Sequence, residues 1–251
     1  MSEHHVQSLA RGLAVIRAFG PDAAELTLSD VARRTDLTRA AARRFLLTLV
    51  DLGYVRSDGR QFALTPRVLE LGYAYLSGQT LPEIATPHLE ALSAEVGESC
   101  SVSVLDGADI VYVARHEASR IMSVRIAVGT RFPAYPTSMG RVLLADLPQP
   151  DLDAILAALP DTGPTPKTTT SESDLRTVLA TVSAQGWALV DQELEVGLRA
   201  IAAPIRDRTG RAVAAANIST QAGRTTLDHA RRVLLPRLLD ACRAIEADLS
   251  R

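Results

Sequence analysis

The chain is poor in the residues that staple a fold or run a reaction. It has two cysteines, Cys100 and Cys242, far apart in 251 residues. That excludes a disulfide framework and leads us to expect a reducing, cytoplasmic location. There is no Cys-x-x-Cys pair, no Gly-x-Gly-x-x-Gly, no phosphate loop and no His-Glu-x-x-His. His4 and His5 sit at the terminus, and His88, His116 and His229 are too scattered for ligand spacing, so neither a metal nor a cofactor is expected. A nucleophile needs a base within reach. Nothing places one beside Cys100, in an expected strand, or Cys242, in the last helix, so no catalytic residue is expected. No apolar run reaches the roughly 18 residues of a membrane span. The start, Met1 to His5, lacks the apolar segment of a signal peptide. Lys167 is the only lysine among 27 basic residues, which we attribute to genomic composition.

What is present concentrates between Thr27 and Leu64. Thr27-Leu28-Ser29-Asp30 opens a short helix with capping hydroxyls and an acid near the positive helix end. Thr35-Asp36-Leu37 breaks it. Thr38 caps a second helix, 39–52, in which Leu37, Phe45, Leu49 and Leu52 form one apolar stripe. Gly53 ends it. Residues 54–56 and 61–64 are strands around Ser57-Asp58-Gly59-Arg60, and Asp-Gly is a strong hairpin signal. This order is that of a winged helix-turn-helix, which sets a helix in the DNA major groove.

Charge supports that reading. Arg39, Ala40, Arg43 and Arg44 lie opposite the Phe45/Leu49 stripe, and no acid occurs from Leu37 to Val50. The exposed face is cationic with a small residue at its centre, suited to guanine edges and phosphates. Arg56 and Arg60 add cations on the wing, and Ser29 and Thr38 stand at the helix starts. Net charge is −2, unevenly placed: residues 1–78 hold ten Arg against eight acids, the remainder 17 basic against 21 acidic residues. A mildly basic module on an acidic body suits site-specific DNA binding.

Around this core, Ser8 to Phe19 reads as a helix with Leu9, Leu13 and Ile16 completing the three-helix core. Residues 67–76 read as a linker helix behind Thr65-Pro66. The expected division is 1–66 for DNA, 67–78 for the linker and 79–251 for a second domain. There, helices are expected at 82–96, 139–147, 151–159, 172–185 and 226–249. Strands are expected at 99–105, 110–115, 122–128, 187–191, 199–206 and 212–219. The result is an α+β domain with a mixed or antiparallel sheet flanked by helices.

Several segments resemble the IclR-type transcriptional regulators. They are Gln7-Ser8-Leu9-Ala10-Arg11-Gly12-Leu13, Leu28-Ser29-Asp30-Val31-Ala32, residues 46–55, residues 137–145, residues 197–205 and residues 215–219. Within the family, residues 128–135 and Ser138-Met139-Gly140-Arg141 resemble the branch that regulates protocatechuate and 4-hydroxybenzoate catabolism, the β-ketoadipate pathway. The resemblance implies a GAF-like effector domain, a dimer or dimer of dimers, a double-stranded DNA operator and a small acidic effector, aromatic or a β-keto acid. RNA polymerase is a further partner to consider; a membrane is not. Carried over by motif, the pocket lining is Ser138, Met139 and Gly140, then Asp191, Leu198 and Ala200, then Asn217 and Ser219. The loop Asp191-Gln192-Glu193-Leu194-Glu195 is one residue shorter than in some members, which shifts the match at Asp191 by up to one position. Ala200 stands where several members have Cys, and Asn217 where some have Ser.

An aromatic acid needs a cation for its carboxylate, polar partners and apolar walls. Arg125 and Arg131, before the Ser138 helix, are the candidate cations, helped by amides around Met139; Tyr135 is a candidate at the mouth. Each has an alternative reading, a surface ion pair for the arginines and core packing for Tyr135. The reading that follows is a ligand-responsive, one-component regulator of aromatic acid catabolism, not an enzyme. The alternatives are an enzyme with an accessory winged helix, and a winged helix that binds protein rather than DNA.

Overall fold

A computed structural model describes residues 5–20, 22–71, 81–118 and 126–250. They belong to two units, Met1–Gln79 and Thr80–Arg251. The first contains α1 (Gln7–Arg17), β1 (Glu25–Thr27), α2 (Leu28–Thr35), α3 (Arg39–Asp51), β2 (Val55–Ser57) and β3 (Gln61–Leu64). α2 starts on a reciprocal cap: the Thr27 hydroxyl accepts from the Asp30 amide, and the Asp30 carboxylate from the Thr27 amide. The Thr27 hydroxyl also donates to the Asp30 carboxylate at 2.6 Å, and that bond first, then the one from the Thr27 amide, holds the carboxyl below the usual carboxylate range. Thr38 caps α3 through the Ala41 amide. Gly53, at φ 80°, turns the chain out of α3, the left-handed position that favours glycine.

The wing sheet has three antiparallel strands in the order β1-β3-β2, one more than expected. The buried face of α3 is Ala42, Leu46 and Leu49, whereas Leu52 is exposed. The core of this unit also takes Val15 from α1 and Phe19 just beyond its end. Leu9 and Leu13, expected inside, are 63% and 47% exposed. A 3-10 turn, Pro66–Val68, follows the wing under a Thr65 cap. The helix expected over 67–76 continues to residue 71, and its remainder lies outside the described residues.

The second unit contains α4 (Leu81–Val96), β4 (Ser99–Asp106), β5 (Asp109–His116), β6 (Arg131–Pro133), α5 (Ser138–Leu144), α6 (Gln149–Leu156), α7 (Glu172–Gln185), β7 (Ala188–Asp191), β8 (Leu198–Arg206) and β9 (Ala212–Gln221). A short α8 (Leu227–His229) passes through a π-helical turn, Ala230–Leu234, into α9 (Leu235–Leu249). Pro236 follows that turn and supplies no amide for a regular helical bond. The six strands form one antiparallel sheet, β6-β5-β4-β9-β8-β7. Of the strand expected at 122–128, residues 122–125 lie outside the described residues and 126–128 are not extended in a ladder. Gly129, at φ 87°, turns the chain, and the edge of the sheet is β6.

Each sheet face carries a core. On one, α4 and α9 bury Leu89, Leu92, Leu238 and Ile245 against Val102, Ala114, Ala216 and Ile218. On the other, α5, α6 and α7 bury Met139, Val142, Leu156 and Leu179 against Tyr112, Ala202 and Ala215. Cys100 and Cys242 belong to the first core. Burial pushes the Cys100 thiol up to about 12 and raises that of Cys242 as well, so neither is a reactive thiolate. Among the described residues no helix is long and apolar enough to cross a membrane.

Candidate functional site

α3 presents Thr38, Arg39, Ala40, Arg43 and Arg44 to solvent. Its outer face and the wing border a groove of about 480 Å³ lined by Ser29, Arg39, Arg43, Leu47, Arg60 and Phe62. Arg39, Arg43, Arg44 and Arg60 have no carboxylate partner among the described residues, whereas Arg33, Arg56 and Arg67 do. Arg56 is thus held differently from expectation: its guanidinium meets Glu25 of β1 at 2.8 Å, because the unexpected third strand brings an acid beside the wing. The hairpin tip is tied by Asp58, which accepts the Arg60 and Gln61 amides at 2.8 and 2.7 Å. Those bonds, Gln61's first, hold its carboxyl below the ordinary value. The surface can neutralise phosphates along its arginines while Ala40 allows close approach to base edges.

The second site is built on the sheet. Cross-strand register aligns Ser99, Ser219, Ala200 and Val190 in one row and Arg115, Ser101, Asn217 and Ala202 in the next. Residues directly opposite in an antiparallel ladder share a face, here the one on which α5 packs. Small side chains leave a hollow floor, and the start of α5 roofs it: the Ser103 hydroxyl donates to Met139 Sδ at 3.3 Å. The cavity between them holds about 20 Å³, room for about one water. Its walls include Ser138, Met139, Leu198, Ala200, Asn217 and Ser219 of the expected residues. Two polar atoms there, Ser138 Oγ and Asn217 Oδ1, are buried with no hydrogen-bond partner. An unpaired buried polar atom costs about 1–3 kcal/mol.

The other expected residues lie elsewhere. Gly140 sits behind the wall, in contact with Ala134. At the α5 cap the Gly140 amide is taken, since the Thr137 hydroxyl accepts from it at 3.0 Å. Tyr135 belongs to the core, and its carbonyl accepts from Arg141 at 2.9 Å. Asp191 pairs with Arg199 and Lys167, while its neighbour Val190 lines the cavity. Desolvation pushes the Asp191 carboxyl up, but hydrogen bonds from Lys167, Arg199 and Gln192 outweigh it and leave it below the ordinary value. Arg131 is on the sheet face opposite Phe132, at an exposed edge, bonded to Asp106 at 2.6 Å and Asp109 at 3.3 Å. Arg125 lies outside the described residues.

Sequence reasoning missed Tyr112, Ile126, Val190 and Leu194 as walls. Burial pushes the Tyr112 phenol up to about 12, and its ring meets Phe132 edge-on at 6.0 Å. Leu194 is held by its neighbour Glu193, whose carboxylate forms a bidentate, buried pair with Arg141 at 2.7 and 2.6 Å. That pair fastens the 192–197 loop to α5.

The IclR helix-turn-helix domain model matches residues 8–59, and the bacterial transcriptional regulator IclR C-terminal model matches residues 73–247. The chain is 46% identical over 237 residues to the Pca regulon regulatory protein of Pseudomonas putida, covering 94% of this chain and 81% of that one. A protein from Rhodococcus sp. RHA1 described as a transcriptional regulator is 60% identical and superposes with a TM-score of 0.86 over 98% of each chain. An IclR homolog from Microbacterium hydrocarbonoxydans, complexed with 4-hydroxybenzoate, is 28% identical with a TM-score of 0.84 over 97% of this chain and 99% of that one. A winged helix-turn-helix with a bare arginine face, joined to a sheet domain with a buried pocket and matching family models across both parts, makes this chain a member of the IclR family of DNA-binding transcriptional regulators.

Proposed function

We propose that the chain is a one-component regulator of aromatic acid catabolism genes, acting in the cytoplasm. Residues 1–66 bind a double-stranded operator, residues 67–78 form the linker helix, and residues 79–251 take a small acidic effector. The observation that carries the effector reading is the pocket itself: buried apolar walls enclosing two polar atoms, on Ser138 and Asn217, that lack partners. A ligand bearing a hydroxyl on an apolar ring completes them. The Pca regulator and the 4-hydroxybenzoate complex among the relatives indicate the chemical class.

The cavity's size gives the switch its physical basis. At about 20 Å³ it does not admit an aromatic ring unless Met139, Leu194 or Leu198 moves. Occupancy therefore shifts the α5 start or the 192–197 loop, the differential interaction that a ligand-driven change requires. Self-association is supported by the exposed apolar side chains of Val6, which precedes α1, Leu9 and Leu13 on α1, and Leu69 and Leu71 after the wing. A dimer, or dimer of dimers, would read two operator half-sites one helical turn or a multiple apart, with RNA polymerase as the partner if bound effector activates transcription.

The test is thermal unfolding of the full chain with 4-hydroxybenzoate, protocatechuate and a β-keto acid, alongside operator binding with and without each. A ligand at a hundredfold excess over its Kd should stabilise the protein by about 2.7 kcal/mol and change operator affinity. No stabilisation by any of them would sink the effector reading.

A further inference from the structure

Among the described residues, three arginines of the second unit have buried side chains, and they differ in what answers their charge. Arg141 has both oxygens of Glu193 and the Tyr135 carbonyl. Arg199 has Asp191 at 2.9 and 2.6 Å, and the Thr225 carbonyl. Arg115 is different. Its side chain is 6% exposed, yet its nearest carboxylate is Glu117 at 3.3 Å, which is 62% exposed. Its other bond, to Ser101 Oγ, is 3.4 Å long. Its Nε is buried with no hydrogen-bond partner. A buried guanidinium held by two long bonds retains capacity for a planar, bidentate anion.

Its position is set by strand register. Arg115 is opposite Ser101, and Ser101 is opposite Asn217. The neighbours Val102, Ala114 and Ala216 enter the core under α4 and α9, so Arg115 faces the other way, onto the sheet face that carries the pocket, beyond the cavity's present walls. Two strand spacings, roughly 10 Å, separate its backbone from that of Asn217. The three buried polar atoms without partners, Arg115 Nε, Ser138 Oγ and Asn217 Oδ1, thus belong to one side of one sheet. One is cationic; the other two belong to hydroxyl and amide groups.

We propose that Arg115 is the carboxylate receptor of this pocket, and that Asn217 and Ser138 take a hydroxyl at the ligand's opposite end. The proposal rests on the effector reading above and adds an orientation and a ligand class to it: a rigid hydroxylated aromatic monocarboxylate, acid end toward β5. Glu117 competes with the ligand for the guanidinium.

The test is calorimetric titration of the full chain with 4-hydroxybenzoate, 4-hydroxybenzamide, benzoate and an aliphatic β-keto acid. Arg115→Met should weaken the acid by about 30-fold or more, the range for truncating a buried charge partner, and leave the neutral amide within about threefold. Wild-type affinity for the acid in folded Arg115→Met overturns the proposal. If that variant does not fold, Arg115→Lys replaces it. Losing the planar fork should weaken the acid at least about fivefold, and an unchanged affinity overturns the proposal. Arg131→Ala is the control and should match wild type. Asn217→Ala should erase the preference for 4-hydroxybenzoate over benzoate; an intact preference overturns the orientation. If wild type binds only the aliphatic acid and Arg115→Met loses it, the receptor stands and the aromatic reading falls. If wild type binds no acid, both fall.

Discussion

Gly140 shows how one missing side chain sets a wall of the pocket. A Cβ there would lie 2.0 Å from the Ala134 carbonyl oxygen and 2.4 Å from its Cα. Both atoms are backbone, so α5 rather than a side chain would have to yield. Gly140→Ala should cost about 1–3 kcal/mol, the range for overpacking a core. Urea denaturation measures it, and wild-type stability would show that α5 is free to slide. The glycine was legible in the sequence as part of the Ser138-Met139-Gly140 motif, but its role was not. It was expected to touch ligand, and it supports the residues that line the cavity. Asp191 and Arg131 failed for another reason of the same scale. Side chains alternate across a strand, so a slip of one residue exchanges the faces. Val190 takes the wall in place of Asp191, and Arg131 stands on the face away from the pocket while Phe132 packs inward.

At the scale of elements, capping and turn chemistry located the first unit well. Thr27, Thr38 and Gly53 mark the α2 start, the α3 start and the α3 exit where hydroxyls and glycine suggested. The assignment of faces was less legible. α1 and the residues just after it carry two apolar sets: Leu9 and Leu13 on one side, Val15 and Phe19 on another. Periodicity marks both and does not say which one a partner helix covers; the second is the buried one. β1 escaped notice because three residues form too short a pattern to recognise, and it is β1 that ties up Arg56 through Glu25. The reading head therefore rests on α3 and the wing tip. Arg43→Ala should weaken operator binding. If Arg43 contacts a phosphate, the salt dependence of log K should lose about one unit of slope and all sequences should weaken alike; if it contacts a base, sequence preference should relax. An Arg43→Ala protein with unchanged affinity, slope and preference would remove α3 from the groove.

At the scale of the whole molecule, the exposed α1 stripe predicts assembly. Val6, Leu9 and Leu13 are 60%, 63% and 47% exposed and lie on one helical face, an apolar strip that a monomer leaves in water. Leu13→Asp should shift the protein toward monomer in light scattering and weaken binding to a palindromic operator more than to a half-site. A variant with unchanged mass and operator affinity would place the assembly surface elsewhere. Residues 27–64 by themselves determined the DNA-reading module, because caps, turns and a charged helix face are local and sequence records them directly. Composition and motifs determined the family and the absence of a recognisable catalytic set. The pocket was decided by the tertiary structure alone. Its walls join Tyr112, Val190, Ala200 and Asn217 from strands β5, β7, β8 and β9, residues brought onto one face by hydrogen-bond register across the sheet. Register is a property of the pairing between strands, set by which faces bury against α5 and α9, and no single strand's sequence contains it.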